Sequence, residues 1–307
     1  MGDGPIIAAR IALFGALTLL FGLSLFGLHG LRGEERQDRG LIPFRFCLGG
    51  LAAIGLAASA FGFVAMAAAM AGTGLSQVDS GTLAMLLGQT AVGAAFRVRM
   101  AALAVCLAAS LPLVRHPTPA LGMIALAAGT ALATLAWAGH GAATDGGARM
   151  VHLGADILHL LAAGAWIGAV GALLFISVRA SHDGGAQVRT LHRALDGFAA
   201  IGTILVALIL ITGSINALFL VGVDQLPHLA ASLWGWLMLA KIALFTVMLA
   251  MAAANRFCLT PRLERAIGQG DHGRALVLLR RSLALEMAAA MLILGLVGWL
   301  GTLEPVG

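Results

Sequence analysis

Apolar residues run through this chain in long, nearly unbroken blocks, and polar residues gather in the short segments between them. A membrane-spanning helix needs about twenty mostly apolar residues. Eight blocks meet that length, at about 6–29, 46–71, 94–114, 120–140, 150–178, 190–220, 230–255 and 282–301. The pattern predicts an all-α fold, a polytopic transmembrane helical bundle of about eight helices. It forms one membrane domain over 1–307, with helices 1–4 in 1–140 and helices 5–8 in 141–307. The fifth and sixth blocks are long enough to tilt or to protrude from the bilayer. The first block opens at Pro5, has no basic leader and is too long for a signal-peptide core, so it reads as a span. Between the second and third blocks, Leu83–Gln89 predicts a short helix lying on the membrane surface.

Composition agrees with the pattern: 60% of residues are hydrophobic and 11% charged, against about 25% charged in an ordinary soluble domain. The +5 net charge could suggest nucleic acid, but the polar surface needed to carry such binding is missing and the charge has another explanation. Arginines collect in alternate loops. Arg32, Arg36, Arg39 and Arg45 follow the first helix, Arg115 the third, Arg179, Arg189 and Arg193 the fifth, and Arg256, Arg262, Arg265, Arg274, Arg280 and Arg281 the seventh. The loop after the sixth helix and the C-terminal tail have neither Lys nor Arg. By the positive-inside rule the arginine-rich loops face the cytoplasm and both termini face out, which in a bacterium is the periplasm. Arg97 and Arg99 break the rule, since they fall at the outer end of the third helix. The three cysteines, Cys47, Cys106 and Cys258, form no CxxC pair and read as small packing residues.

A faint internal repeat runs through the chain. Thr90-x-x-Gly93 precedes Arg99 by the same interval as Ser232-x-x-Gly235 precedes Lys241, and Arg10 lies twelve residues before Gly22 as Asp156 lies twelve before Gly168. Helices 1–4 would then correspond to helices 5–8, and an even number of spans makes the two halves parallel. Chance matches among small residues give the same signal.

Polar groups inside a bilayer are costly and are functional candidates by default. The densest group opens the fifth helix. His152, Asp156 and His159 stand at i, i+4 and i+7, on one stripe. At about 1.5 Å per residue the two histidines are some 10 Å apart along the axis, so one ion would bind Asp156 with one or the other. His140, at the end of the fourth helix, lies on the same side and completes a candidate metal set of His140, His152, Asp156 and His159; Met150 and His228 are near in topology. Imidazole suits copper and zinc, thioether suits Cu(I), and a carboxylate can ligate or orient a histidine. The alternative is that Asp156 and His159 simply hydrogen-bond neighbouring helices. Arg97, Arg99, Asn216, Lys241 and Glu286 are the other intramembrane polar residues. Lys241 and Glu286 sit at different depths, so the partner of Lys241 is Asp156, a carbonyl or water, and the two outer arginines shape the local field or pair with buried carboxylates. His29, His182, His192 and His272 lie toward the inner face and read as loop histidines. The five tryptophans read as interface anchors or packing.

These residues resemble the copper resistance D (CopD/PcoD) family of bacterial inner-membrane proteins. Gly139-His140-Gly141-Ala142-Ala143 is similar to that family's small-residue histidine motif. Asp156-Ile-Leu-His159 followed by Trp166-Ile-Gly168 is similar to its D-x-x-H…W-x-G signature, and Thr212-Gly213-Ser-Ile-Asn216-Ala217 to its T/S-G-x-x-N-A segment. Lys241, Asn255-Arg256 and Pro261-Arg262-Leu263 are similar to its K…N-R…P-R-L ending. The chain departs from the family at Trp234-Gly235-Trp236, where an aromatic-Gly-Arg is usual. The resemblance implies copper homeostasis. It implies that a copper ion, Cu(I) or Cu(II), is accepted on the periplasmic face and moved across the inner membrane, often alongside a small periplasmic copper-binding protein. The rival readings are a b-type cytochrome, for which only His159 is moderately deep, and a metal-binding scaffold that moves nothing. No nucleophile–base pair marks an enzyme.

Overall fold

A computed structural model describes residues 4–138, 148–180, 185–222, 226–269 and 273–304. The predicted helical bundle is what it contains. Its helices are α1 (Gly4–His29), α2 (Phe44–Ala71), α3 (Ser80–Gln89), α4 (Ala91–Ser110), α5 (Pro117–Ala133), α6 (Arg149–Arg179), α7 (Gly185–Val221), α8 (Leu233–Ala254), α9 (Thr260–Gln269) and α10 (Gly273–Leu300). Eight segments among the described residues are long and apolar enough to cross a membrane. They are α1, α2, α4, α5, α6, α7, the α8–α9 rod and α10. A π-turn at Asn255–Leu259 joins α8 to α9. Large apolar side chains such as Phe46, Leu126, Ile204 and Leu285 point outward, as lipid-facing positions should.

Several helices begin earlier than the apolar pattern predicts, α3 and α10 among them. α3 starts at Ser80 because Asp79 caps it, accepting from Thr82 N at 2.8 Å. α10 starts at Gly273 because the helix continues through the Arg-bearing turns below the apolar run.

α1 is the centre of the bundle and packs against α2, α5, α6 and α10. Its contact with α6 is backbone to backbone. A Cβ at Gly22 would fall into the Gly164 carbonyl and the Gly168 Cα, and one at Gly168 would fall onto Gly22. Small residues at this crossing let two helices approach as closely as lipid-embedded packing favours. Around it, Leu17, Leu20, Phe26, Leu132, Leu173 and Ile176 are fully buried.

The start of α1 and the end of α10 meet at one face, the termini face, where the Arg10 Nε donates to the Gly298 carbonyl at 3.2 Å. The opposite face carries the arginine-rich loops, and there several arginines cap helix C-termini. Arg36 donates to the carbonyls of Gly27, Leu28 and Leu31 at the end of α1. Arg280 donates to Ser177 and Ala180 at the end of α6. Each satisfies last-turn carbonyls that have no intrahelical partner and places positive charge at the negative end of a helix.

Candidate functional site

The stripe on α6 meets α7 near the termini face, and the two sequence motifs fit one another there. α6 and α7 run antiparallel, so residues 156 and 159 of one face 216 and 212 of the other. Asn216 Nδ2 donates to Asp156 Oδ1 at 3.4 Å, and His159 Nδ1 lies 3.1 Å from Thr212 Oγ1. Gly213 leaves room for the ring, since a Cβ there would stand 3.3 Å from His159 Cε1. The D-x-x-H and T-G-x-x-N segments are thus two halves of one polar contact between spans.

The Thr212 hydroxyl also lies 2.6 Å from the Leu208 carbonyl. When it donates there it accepts from His159 Nδ1–H, and in that tautomer Nε2 keeps its lone pair. A histidine held through Nδ1–H with Nε2 free is oriented as metal-ligating histidines are. Asn216 Oδ1 is buried without a hydrogen-bond partner. His159 Nε2, the Asp156 carboxylate and Asn216 Oδ1 therefore form a small group of acceptors with unused capacity.

Lys241 on α8 is the cation within electrostatic reach of both Asp156 and His159, and it does not close to an ion-pair contact with Asp156. Asp156 was one of the three partners foreseen for this lysine. α8 is aimed at the site by its start. Ser232 caps it, accepting from Gly235 N at 3.0 Å, and a Cβ at Gly235 would strike the Leu229 carbonyl.

His152 is buried and stacks on Phe219, ring centroids 4.7 Å apart, one to two turns nearer the termini face than His159. Among the described residues no three His, Cys, Asp or Glu side chains converge as a metal-binding group. His140, His182 and His272 lie outside the described residues, as does the side chain of His228. His29 is ringed by Phe26 and Phe198, not loose in a loop.

Of the two roles expected of the outer arginines, shaping the local field or pairing with a buried carboxylate, Arg99 does not take the second. Arg99 is buried, but it does not pair with a carboxylate. Nε donates to Ser59 Oγ at 2.7 Å and NH1 to Thr134 Oγ1 at 3.2 Å, and the guanidinium lies over the Phe96 ring. No acidic side chain lies in reach on α2, α4 or α5, so hydroxyls and a π-face take that place. Arg97 is exposed and donates to the Leu87 carbonyl at the end of α3, which explains an arginine on the wrong side of the bundle: it caps the surface helix.

Sequence reasoning gave Trp166 no chemical role. Its Nε1 donates to Glu286 Oε1 at 3.0 Å, and Asn255 Nδ2 donates to Glu286 Oε2 at 3.0 Å. Trp166 lies on the His152–Asp156–His159 stripe, seven residues beyond His159, and that spacing was the available signal.

Fold and site together define a polytopic helical membrane protein with a preorganised polar cluster in the half of the bundle that includes both termini. Residues 1–151 match the model of the copper resistance protein D-like N-terminal domain, and residues 192–300 match that of copper resistance protein D. The chain is 44% identical to copper resistance protein D of Pseudomonas syringae pv. tomato, over 99% of this chain and 98% of that protein. It is 29% identical to the inner membrane protein YebZ of Escherichia coli K12, over 97% and 98%. It is also 29% identical to the copper transport protein CutJ of Bacillus subtilis 168, over 84% of this chain and 47% of that protein. No solved structure matches. The chain belongs to the copper resistance protein D family.

Proposed function

We propose that this protein accepts copper at the face where its termini lie, the periplasmic face of an inner membrane, and passes it into the membrane through the α6–α7–α8 cluster. The observation that carries the proposal is the α6–α7 contact. It leaves His159 Nε2, Asp156 and Asn216 Oδ1 with unused acceptor capacity inside an apolar bundle. An imidazole nitrogen suits copper in either oxidation state, and the carboxylate supplies charge. Lys241 balances Asp156 while the cluster is empty, and an arriving cation takes over that role. His152 and His140 act as the entry from the periplasm, where a small copper-binding protein delivers the ion. The protein performs no catalytic step.

Metal analysis tests this. His159→Ala and Asp156→Ala should each abolish copper binding by the purified protein and the copper-dependent change in cellular copper content, with membrane insertion intact. His272→Ala should leave both at wild-type level. Wild-type stoichiometry and phenotype in His159→Ala would remove the assignment. Copper bound tightly without flux in vesicles would mark a scaffold. Topology has its own check: reporters fused after Gly222 or at Gly307 should behave as periplasmic and those after Gln269 as cytoplasmic.

A further inference from the structure

The bundle holds a second carboxylate beside an asparagine, deeper than the first. Glu286 in α10 is 2% exposed and Asn255, at the first position of the π-turn, is 7% exposed. Their contact repeats that of Asp156 with Asn216. In each, the amide Nδ2 donates to a carboxylate oxygen and the amide Oδ1 is buried without a donor. No imidazole completes the inner pair, and Trp166 N–H already occupies Oε1. This is a poor set for copper.

We propose that Glu286 and Asn255 form a proton-binding site. The arrangement as it stands leaves one acceptor, Asn255 Oδ1, without a hydrogen. One proton on Glu286 Oε2 is accommodated when the Asn255 amide turns over: the new O–H donates to Oδ1, Oε1 continues to accept from Trp166, and Nδ2 takes the buried position that Oδ1 now holds. Which amide atom faces the carboxylate then reports whether the proton is bound. The π-turn supports the assignment, since such interruptions of the helical ladder concentrate at functional sites.

Among the described residues no charged group forms an ion pair with this carboxyl. On the elements packed against α10, Arg10, Asp156, His159 and Lys241 lie toward the termini face, with Asp156 and His159 bonded to α7. Toward the arginine face, Arg256 donates to Ala199 O and Thr203 Oγ1, and Arg280 to Ser177 O and Ala180 O. His29 and Arg179 are at the ends of α1 and α6 on that side, as are Arg281 of α10 itself and the charges of α9. The ring of Phe245 on α8 meets Trp166 in a T-shaped contact, centroids 5.9 Å apart.

Infrared difference spectroscopy of the full-length protein in lipid nanodiscs, recorded over a pH series, tests it. The background is Asp156→Asn, so that the other deep carboxyl does not contribute. The expected result is a C=O band of a desolvated carboxylic acid that comes and goes with pH, shifts in D2O, changes position in Asn255→Ala and is lost in Glu286→Gln. Gln at 286 imitates the protonated form, accepting from Trp166 and donating to Asn255, so it should fold. Should it fail to fold, the Asn255→Ala band shift decides. A titrating band that persists in Glu286→Gln, or one unmoved by Asn255→Ala, overturns the proposal, as does the absence of any such band across the pH range in which the protein stays folded.

Discussion

The two halves of this bundle share their backbone devices and differ in their charges. α4 and α8 start alike. Thr90 and Ser232 each accept from the backbone N–H three residues on, and Gly93 and Gly235 each give way to a carbonyl of the preceding helical segment. α1 and α6 cross at Gly22 and Gly168, the positions paired in the sequence repeat. The contacts across the halves also exchange, α1 packing on α10 as α6 packs on α5. Yet the half-buried Arg10 and the buried Arg99 of the first half are tied to neutral acceptors, Arg10 to the Gly298 carbonyl and Arg99 to Ser59 and Thr134. The second half sets Lys241 against Asp156 and buries Glu286. A positive charge bound only to hydroxyls and carbonyls can hold helices together but offers nothing to a cation. A cluster with carboxylates and an imidazole lone pair can.

If that comparison is right, the largest loss should come from the crossing that both halves share. Gly22→Leu drives a side chain into the backbone of α6 at Gly164 and Gly168, where no rotamer change gives relief. The cost should reach or exceed the upper end of the roughly 1–3 kcal/mol usual for overpacking. The monodisperse peak in detergent gel filtration should disappear, whereas Gly122→Leu, at an open position on α5, should keep it. Equal yields would mean that the halves do not meet at this crossing.

The next effect separates structural from functional charge. Arg99→Ala should lower folded yield and thermal midpoint by an amount corresponding to about 1.5–3 kcal/mol for charge-assisted hydrogen bonds. Arg115→Ala, at the exposed end of the following 3-10 turn, should be close to neutral. Copper bound per folded molecule should be unchanged in both. A loss of copper in folded Arg99→Ala would put chemistry in the half assigned to scaffolding.

Hydropathy and arginine placement were enough to read the eight spans and the surface helix, because lipid imposes length and polarity on each segment separately. The stripe of His152, Asp156 and His159 was legible for a similar reason: it follows from helical spacing within one segment. What could not be read was pairing between segments. That Thr212 meets the ring of His159, that Gly213 makes space for it, and that Trp166 and Asn255 converge on Glu286 depend on the register of antiparallel helices. Nothing in a single sequence specifies that register. The same limit explains Arg99. Its depth was evident from position, but its hydroxyl partners come from α2 and the turn after α5, 40 and 35 residues away.

The smallest effect concerns the tie between the halves at the arginine face. Glu35, in the loop after α1, receives Arg193 of α7 on both oxygens at 2.7 and 2.5 Å, Thr190 Oγ1 at 3.1 Å and the Arg32 backbone N–H at 2.8 Å. Burial pushes its pKa up, but the Arg32 N–H together with Arg193 and Thr190 outweighs that and holds it below the usual glutamate range. A carboxyl whose folded pKa is depressed contributes stability above its unfolded pKa and loses it as pH falls through the folded value. The contribution should therefore be complete at neutral pH and fade at acid pH, below about 4.3, the ordinary glutamate value. Both side chains remain about 30% exposed, so solvent screening limits the pair to about 1 kcal/mol or less. Glu35→Gln should lower the thermal midpoint slightly at pH 7 and converge with wild type in acid, with the gap narrowing further at high salt. A gap that widens as pH falls would give the pair the opposite sign and remove this tie from the comparison.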